Sequence, residues 1–233
     1  MPRAISRSCL ECAVRGGDCF CTLEDDALRT LEDLGEHVEV PQGTQIFREG
    51  FDPEKVFIVC KGQVKLTVTS KDGRLLILRI AAPGDVLGLA AALRHKQYEA
   101  SAVAIEPCQL KWMMRADFFE FMKQFSEVGE NSARSLAEEY RTTVMSARRL
   151  ALSGSAGGKL ASVLLEWAHR ASLNKTQLKF VMPLTHEELA SMAGISRETT
   201  TRMLTKFKND GLIAIHGSTI VIEDEAGMEQ MFS

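Results

Sequence analysis

The chain has 233 residues with a formal charge of -3, so its surface is not basic all over and any contact with nucleic acid must come from a local patch. A hydrophobic share of 45% and a charged share of 25% exclude a disordered chain, and the length suits two domains that each bury a core. No apolar run reaches the roughly 18 residues of a membrane helix, and Arg3, Arg7 and cysteines stand where a signal peptide is apolar, so a cytoplasmic protein without a membrane partner is expected.

Residues 1–22 read as a loop holding Cys9, Cys12, Cys19 and Cys21 around Gly16-Gly17. Six cysteines in a reducing compartment point to metal or redox chemistry rather than to a disulfide framework. From Thr22 to Leu34, Leu23, Ala27, Leu28, Leu31 and Leu34 recur at helical spacing, with Thr22 as the expected N-cap. Between Glu36 and Trp112, short alternating runs such as Val64-Lys65-Leu66-Thr67-Val68 are broken by glycines, and Asp72-Gly73 marks a hairpin. This is the pattern of a compact antiparallel β-roll or barrel, over residues 23–115.

From Arg115 to Leu152 there is no proline, and Ala133, Leu136, Tyr140, Thr143, Ala147 and Leu150 follow alternating spacings of three and four. Such an a/d seam over residues 116–152 predicts pairing with a second copy as a homodimer, the alternative being one long helix packed on its own roll. Ser153 to Gly158 punctuates the chain and opens a second domain over residues 153–233, with a helix over 159–170, a loop at Asn174-Lys175-Thr176 and a strand over 178–182.

Thr185 and Glu188 form a capping box ahead of Leu189, Ala190 and Met192, Gly194 permits a sharp left-handed turn, and Ser196 caps the next helix. That order predicts a helix-turn-helix whose second helix, running to about Asp210, buries Met203, Leu204 and Phe207 and presents Arg197, Glu198, Thr201 and Arg202. Arginine can bond guanine O6 and N7, glutamate can accept from cytosine N4, and threonine can touch a thymine methyl, while Lys206 and Lys208 suit phosphates. Strands over 213–215 and 219–222 around His216-Gly217-Ser218 add a wing. The expected partner is therefore double-stranded DNA. Catalysis is not expected: His37, His95, His169, His186 and His216 are scattered without metal-ligand spacing, which argues against the remote alternative of a cupin-like enzyme.

Lys61-Gly62-Gln63-Val64, Pro83-Gly84-Asp85 and Ile195-Ser196-Arg197-Glu198-Thr199 through Arg202 together resemble the Crp/Fnr regulators over nearly the full length. The resemblance implies an α+β chain: an N-terminal cyclic-nucleotide-type antiparallel β-roll, a long dimerisation helix and a C-terminal winged helix-turn-helix. It further implies a homodimer on a near-palindromic site, with RNA polymerase as a partner. At Arg197, Glu198 and Arg202 the chain is similar to the cyclic-AMP-dependent branch, which implies a TGTGA-like half-site.

The sensor part resembles a different branch. After Gly84-Asp85 the glutamate expected for a cyclic nucleotide is missing, and Glu99 or Ala100 stands where an arginine would meet the phosphate, which argues against cyclic nucleotides. Gly88, Leu89 and Ala90 replace the cysteine and histidine ligands of haem-containing relatives, and Pro2 alone is too weak a signal for haem. Cys9, Cys12 and Cys19 are similar to the first three ligands of the Fnr-type iron-sulfur sensors, with Cys21 as an alternative to Cys19, and Cys108 is taken as the fourth. A [4Fe-4S] cluster responding to oxygen or nitric oxide is therefore the expected cofactor. Zinc, a thiol-disulfide switch or a small molecule in the roll remain as alternatives, and Cys60, alternating within a strand, reads as plain core.

Overall fold

Alternation between two buried faces organises the N-terminal half. The computed structural model describes residues 8–15, 19–152, 154–171 and 178–231; Pro2, Arg3, Arg7, Gly16, Gly17, Ser153 and Asn174-Lys175-Thr176 lie outside them. A 3₁₀ turn at Cys9–Glu11 leads to α1 (Asp25–Leu34). The strands β1 (Glu36–Val40), β2 (Gln45–Phe47), β3 (Lys55–Lys61), β4 (Val64–Thr69), β5 (Leu75–Ala81) and β6 (Val86–Leu87) come next. After α2 (Leu89–Arg94) follow β7 (Ser101–Ala104) and β8 (Cys108–Met114). They form two four-stranded sheets, in the orders β1-β8-β3-β6 and β2-β7-β4-β5, as the expected antiparallel roll.

Within the first sheet the central pair, β3 and β8, is buried on both sides. Val59 and Leu110 are paired across β3 and β8 and face the roll interior, with Phe57, Val64, Leu66, Leu87, Ala102 and Cys108. Ile58 and Lys111 are paired one step along and face the other side, where Val56, Ile58 and Met113 pack with Leu28 and Leu31 of α1. Phe20, whose ring lies 6.1 Å from that of Phe118, completes this outer core.

Helix α1 starts later than its periodicity suggested. Its N-cap is Glu24, without a side-chain cap, because Thr22 belongs to the cysteine loop: its N–H donates to the Cys19 carbonyl and its own carbonyl accepts from Asn131. The stretch after the roll is two helices, α3 (Arg115–Gln124) and α4 (Ser126–Leu152), because Phe125 adopts an extended backbone and sets its ring edge-on to Phe121 at 5.6 Å.

In the C-terminal half, α5 (Ala156–Ala171) buries Leu160, Val163, Leu164 and Trp167, and the Trp167 ring stacks on Phe180 of β9 (Lys179–Val181) at 5.8 Å. Then come α6 (His186–Ala193), α7 (Arg197–Asn209), β10 (Ile213–His216), β11 (Thr219–Ile222) and α8 (Glu225–Glu229), with the three strands in the order β10-β11-β9. The chain divides into two compact units: residues to Val68 with Arg79–Thr142, and Thr69–Leu78 with residues from Thr143. The hairpin tip thus belongs with the C-terminal unit, where Ser191 donates to the Leu75 carbonyl at 2.5 Å and Ser146 to that of Leu78 at 3.3 Å.

One buried cation holds the edge of the roll. Arg79, its side chain 9% exposed, donates through Nη1 to Asp85 Oδ2 at 3.0 Å; that oxygen also accepts from the Ala82 N–H, and Glu139 lies 3.6 Å from Arg79 Nε. Asp85→Ala leaves a largely desolvated guanidinium with one distant carboxylate and is expected to lower stability by about 2–4 kcal/mol. A urea titration against the parent checks this; an unchanged midpoint would show that the pair is dispensable.

Candidate nucleic-acid interface and cysteine loop

The two helices of the C-terminal motif are set by local chemistry. Thr185 accepts the Glu188 N–H at 3.2 Å while Glu188 Oε2 accepts the Thr185 N–H at 2.9 Å, the reciprocal capping box expected from their spacing. Gly194 closes α6 at a φ of +65°, and a β-carbon there would run into the Leu150 side chain, so both backbone and packing require glycine. Ser196 accepts from the Thr199 N–H at 3.2 Å and starts α7. Thr200, Leu204 and Phe207 are its buried residues; Met203 is only half-buried, because Thr200 takes the inner position by donating to the Ser196 carbonyl.

The opposite face of α7 is open. Arg197, Glu198, Thr201, Arg202 and Lys206 are all exposed, as are Thr185 at the start of α6 and Ser196. Arg197, Glu198, Thr201 and Arg202 line one concave surface together with Thr205, which sequence reading missed although it lies one turn beyond Thr201. His186, also missed, reaches across from α6 with Nδ1 2.9 Å from Thr201 Oγ1 and so fixes that hydroxyl between the helices. The Glu198 backbone N–H and the Ser196 hydroxyl hold the Glu198 carboxyl below the usual carboxylate range, which keeps it an acceptor at neutral pH.

On α4 the residues of the expected seam are not all exposed. Ala133, Tyr140, Thr143 and Ala147 are exposed, Tyr140 at 73%, but Leu136 packs into the outer core of the roll and Leu150 is half-buried against the Gly194 turn. Exposed apolar or small residues instead recur at Ala133, Ala137, Tyr140, Val144 and Ala147, still at spacings of four and three.

The cysteine loop lies on the outer face of the β3–β8 sheet. Glu32 of α1 accepts the Cys9 N–H at 2.9 Å and the Ser8 hydroxyl at 3.0 Å. The Phe20 N–H donates to the Gly84 carbonyl at 3.1 Å, and the Gly84 N–H donates to Val59 at 2.8 Å, which brings the loop against the end of β3. Gly84 has a φ of +96°, and a β-carbon there would lie 2.5 Å from that of Cys19. From α4, Asn131 Nδ2 donates to the carbonyls of Phe20 at 3.1 Å and Thr22 at 2.8 Å, and the Glu127 carboxylate accepts the Glu24 N–H.

Within this frame Cys9, Cys12, Cys21 and Cys60 are mutual electrostatic neighbours, and Cys19 neighbours Cys21. Burial pushes the Cys60 thiol up to about 11 and raises those of Cys9 and Cys21 as well. The Cys19 thiol donates to the Val14 carbonyl at 3.1 Å. Lys111, 1% exposed, donates through Nζ to the carbonyls of Leu31 at 3.2 Å and Glu32 at 3.5 Å, and its positive charge lies near the Cys9 thiol.

Cys108 is not brought to this group. It is 2% exposed inside the roll, and its thiol donates to the carbonyls of Gln63 and Glu106, both at 3.2 Å. It shares its face of β8 with Leu110, whereas Lys111 and Met113 face the loop side. Among the described residues, no three His, Cys, Asp or Glu side chains converge on a single metal-ion position.

Residues 158–231 match the model of the Crp-like helix-turn-helix domain, and residues 37–125 that of the cyclic nucleotide-binding domain. The nitrogen fixation regulation protein FixK of Bradyrhizobium diazoefficiens is 30% identical, over 96% of this chain and 93% of its own. The chain belongs to the Crp/Fnr family of transcription regulators. The Cyclic AMP receptor protein of Thermus thermophilus is 29% identical over 82% of this chain and 85% of its own. FixK2 from Bradyrhizobium japonicum shares the fold, with a TM-score of 0.74 at 21% identity, covering 85% of this chain and 98% of that one. The chain is thus a DNA-binding regulator, and among its described residues no helix is long and apolar enough to cross a membrane.

Arg197→Ala is expected to cost about 1–3 kcal/mol of binding and to relax preference at one guanine. Mobility shifts on a set of single-base variants check this; equal weakening on every variant would assign Arg197 to phosphate instead.

Proposed function

We propose that the chain switches transcription in response to oxygen or nitric oxide, binding DNA as a homodimer when its N-terminal cysteine loop holds an iron-sulfur cluster. The observation that carries this reading is the bridge from Asn131 to the Phe20 and Thr22 carbonyls, because it ties the thiol-bearing loop to α4. Cysteine thiolates are the ligands that iron-sulfur clusters take, and when bound a cluster would supply the reactivity toward oxygen and nitric oxide. The chain's own residues do the rest. The loop docked on Glu32, Gly84 and Asn131 fixes the first turns of α4, and the exposed Ala133, Ala137, Tyr140, Val144 and Ala147 give a second copy a seam to pack on. A dimer of this family's kind would place two α7 helices on a near-palindromic site, and the likeness of Arg197, Glu198 and Arg202 to the cyclic-AMP-dependent branch implies a TGTGA-like half-site. Contact with RNA polymerase completes the reading as a regulator of transcription.

A cyclic nucleotide is less well served. The roll interior packs Phe57, Val59, Val64, Leu66, Leu87 and Leu110, and Glu99, near where a phosphate-binding arginine was sought, is exposed and pairs with Arg94 at 2.7 Å. An anionic ligand gains nothing from either.

The test is a mobility shift on a TGTGA-type palindrome with protein purified without oxygen, before and after exposure to air. Tight binding that air abolishes together with the iron is expected, whereas an iron-free protein that binds equally tightly in air would end the reading. Asn131→Ala should keep its iron yet bind DNA weakly in both conditions, because the two loop carbonyls lose their link to α4.

A further inference from the structure

We infer that the ligand set of this loop is Cys9, Cys12, Cys21 and Cys60, with Cys60 of β3 as the fourth thiolate and Cys108 and Cys19 outside the set. The inference rests on the iron-sulfur reading above and adds to it the identity of the site.

The geometry begins with the sheet. Side chains of β3 alternate, so Val59 faces the roll interior and Ile58 the loop side. The register then slips: Val59 pairs with Leu110, yet Lys61 pairs with Gln109, so Cys60 is the extra residue of a β-bulge. A bulge re-aims a side chain, and here Cys60 is half-buried and an electrostatic neighbour of Cys9 and Cys12. The loop arrives at the same place through Phe20, Gly84 and Val59, linked in sequence by two backbone hydrogen bonds. Cys9 and Cys21 pack on that outer core, against which α1 and Ile58 are also packed.

The choice among the cysteines follows. All six pairs drawn from Cys9, Cys12, Cys21 and Cys60 are electrostatic neighbours, and Cys19, a neighbour of Cys21, is set apart by its thiol, which donates to the Val14 carbonyl at 3.1 Å. Cys108 has a two-carbonyl thiol site of its own on the other side of a continuous sheet, and reaching the loop would require breaking the β3–β8 ladder. Lys111 supplies the second, independent observation. A buried ammonium is costly unless it is compensated. Two carbonyls receive it here, the Cys9 thiol lies within its field, and four thiolates around iron and sulfide would carry the negative charge that a buried cation requires.

The experiment is reconstitution of the full chain with ferrous iron and sulfide under nitrogen, followed by desalting, visible absorption and iron and sulfide analysis. The parent, Cys19→Ser and Cys108→Ser should retain the cluster; Cys60→Ser and Cys21→Ser should lose most of their iron and sulfide while keeping the parent's far-ultraviolet circular dichroism. A parent that takes up no iron overturns the sensor reading itself. A parent that loads normally, with Cys60→Ser loading as well, overturns this ligand set, as does loss of iron in Cys108→Ser with circular dichroism unchanged.

Alkylation of the parent alone gives a readout independent of how any variant folds. Cys60 and Cys21 should be protected in the loaded protein and labelled after chelation, with Cys108 unlabelled in both. Equal labelling of Cys60 in the two states would place it outside the site.

Discussion

Alternation of side chains across the β3–β8 ladder is the constraint on which the sensor half depends. One strand pair supplies the interior of the roll through Val59 and Leu110 and the support for the cysteine loop through Ile58 and Lys111. A sheet buried on both faces cannot exchange residues between them without a slip of register. The sides on which Cys60 and Cys108 lie follow from the pairing of these two strands. The loop is bound at Gly84 beside this sheet, to α1 at Glu32 and to α4 at Asn131.

The DNA-reading half follows a different logic, because its elements are determined locally. The Thr185–Glu188 box, the left-handed Gly194 and the Ser196 cap each satisfy backbone groups within a few residues, and together they leave one face of α7 exposed. His186 adds the only cross-helix refinement described at this face, holding Thr201 from α6.

These two kinds of determination explain what could be read in advance. The roll, the helix-turn-helix, the wing and the polar start of α7 were legible because caps, glycine turns and periodicity act over short distances. On α4 the expected period is present, but Leu136, which has the right spacing, is claimed by the outer core of the roll, remote in sequence, while Ala137 and Val144 are exposed. The cysteines were the hardest case. Cys108-Gln109-Leu110-Lys111-Trp112 gives no clean polar face, since Lys111 is itself buried, so the side occupied by Cys108 could not be read from alternation. Cys60 looked like core because nothing local announces a bulge. Both features arise from the pairing of strands about fifty residues apart and from a loop that folds back on them.

The central claim is one of sidedness: the iron belongs on the loop side of the sheet, above Cys60 and Lys111. Diffraction data collected at the iron absorption edge from crystals grown without oxygen would locate it directly. An anomalous peak among Cys9, Cys12, Cys21 and Cys60 is the predicted result; a peak against Cys108, inside the roll, would contradict the assignment and with it the path from loop to helix.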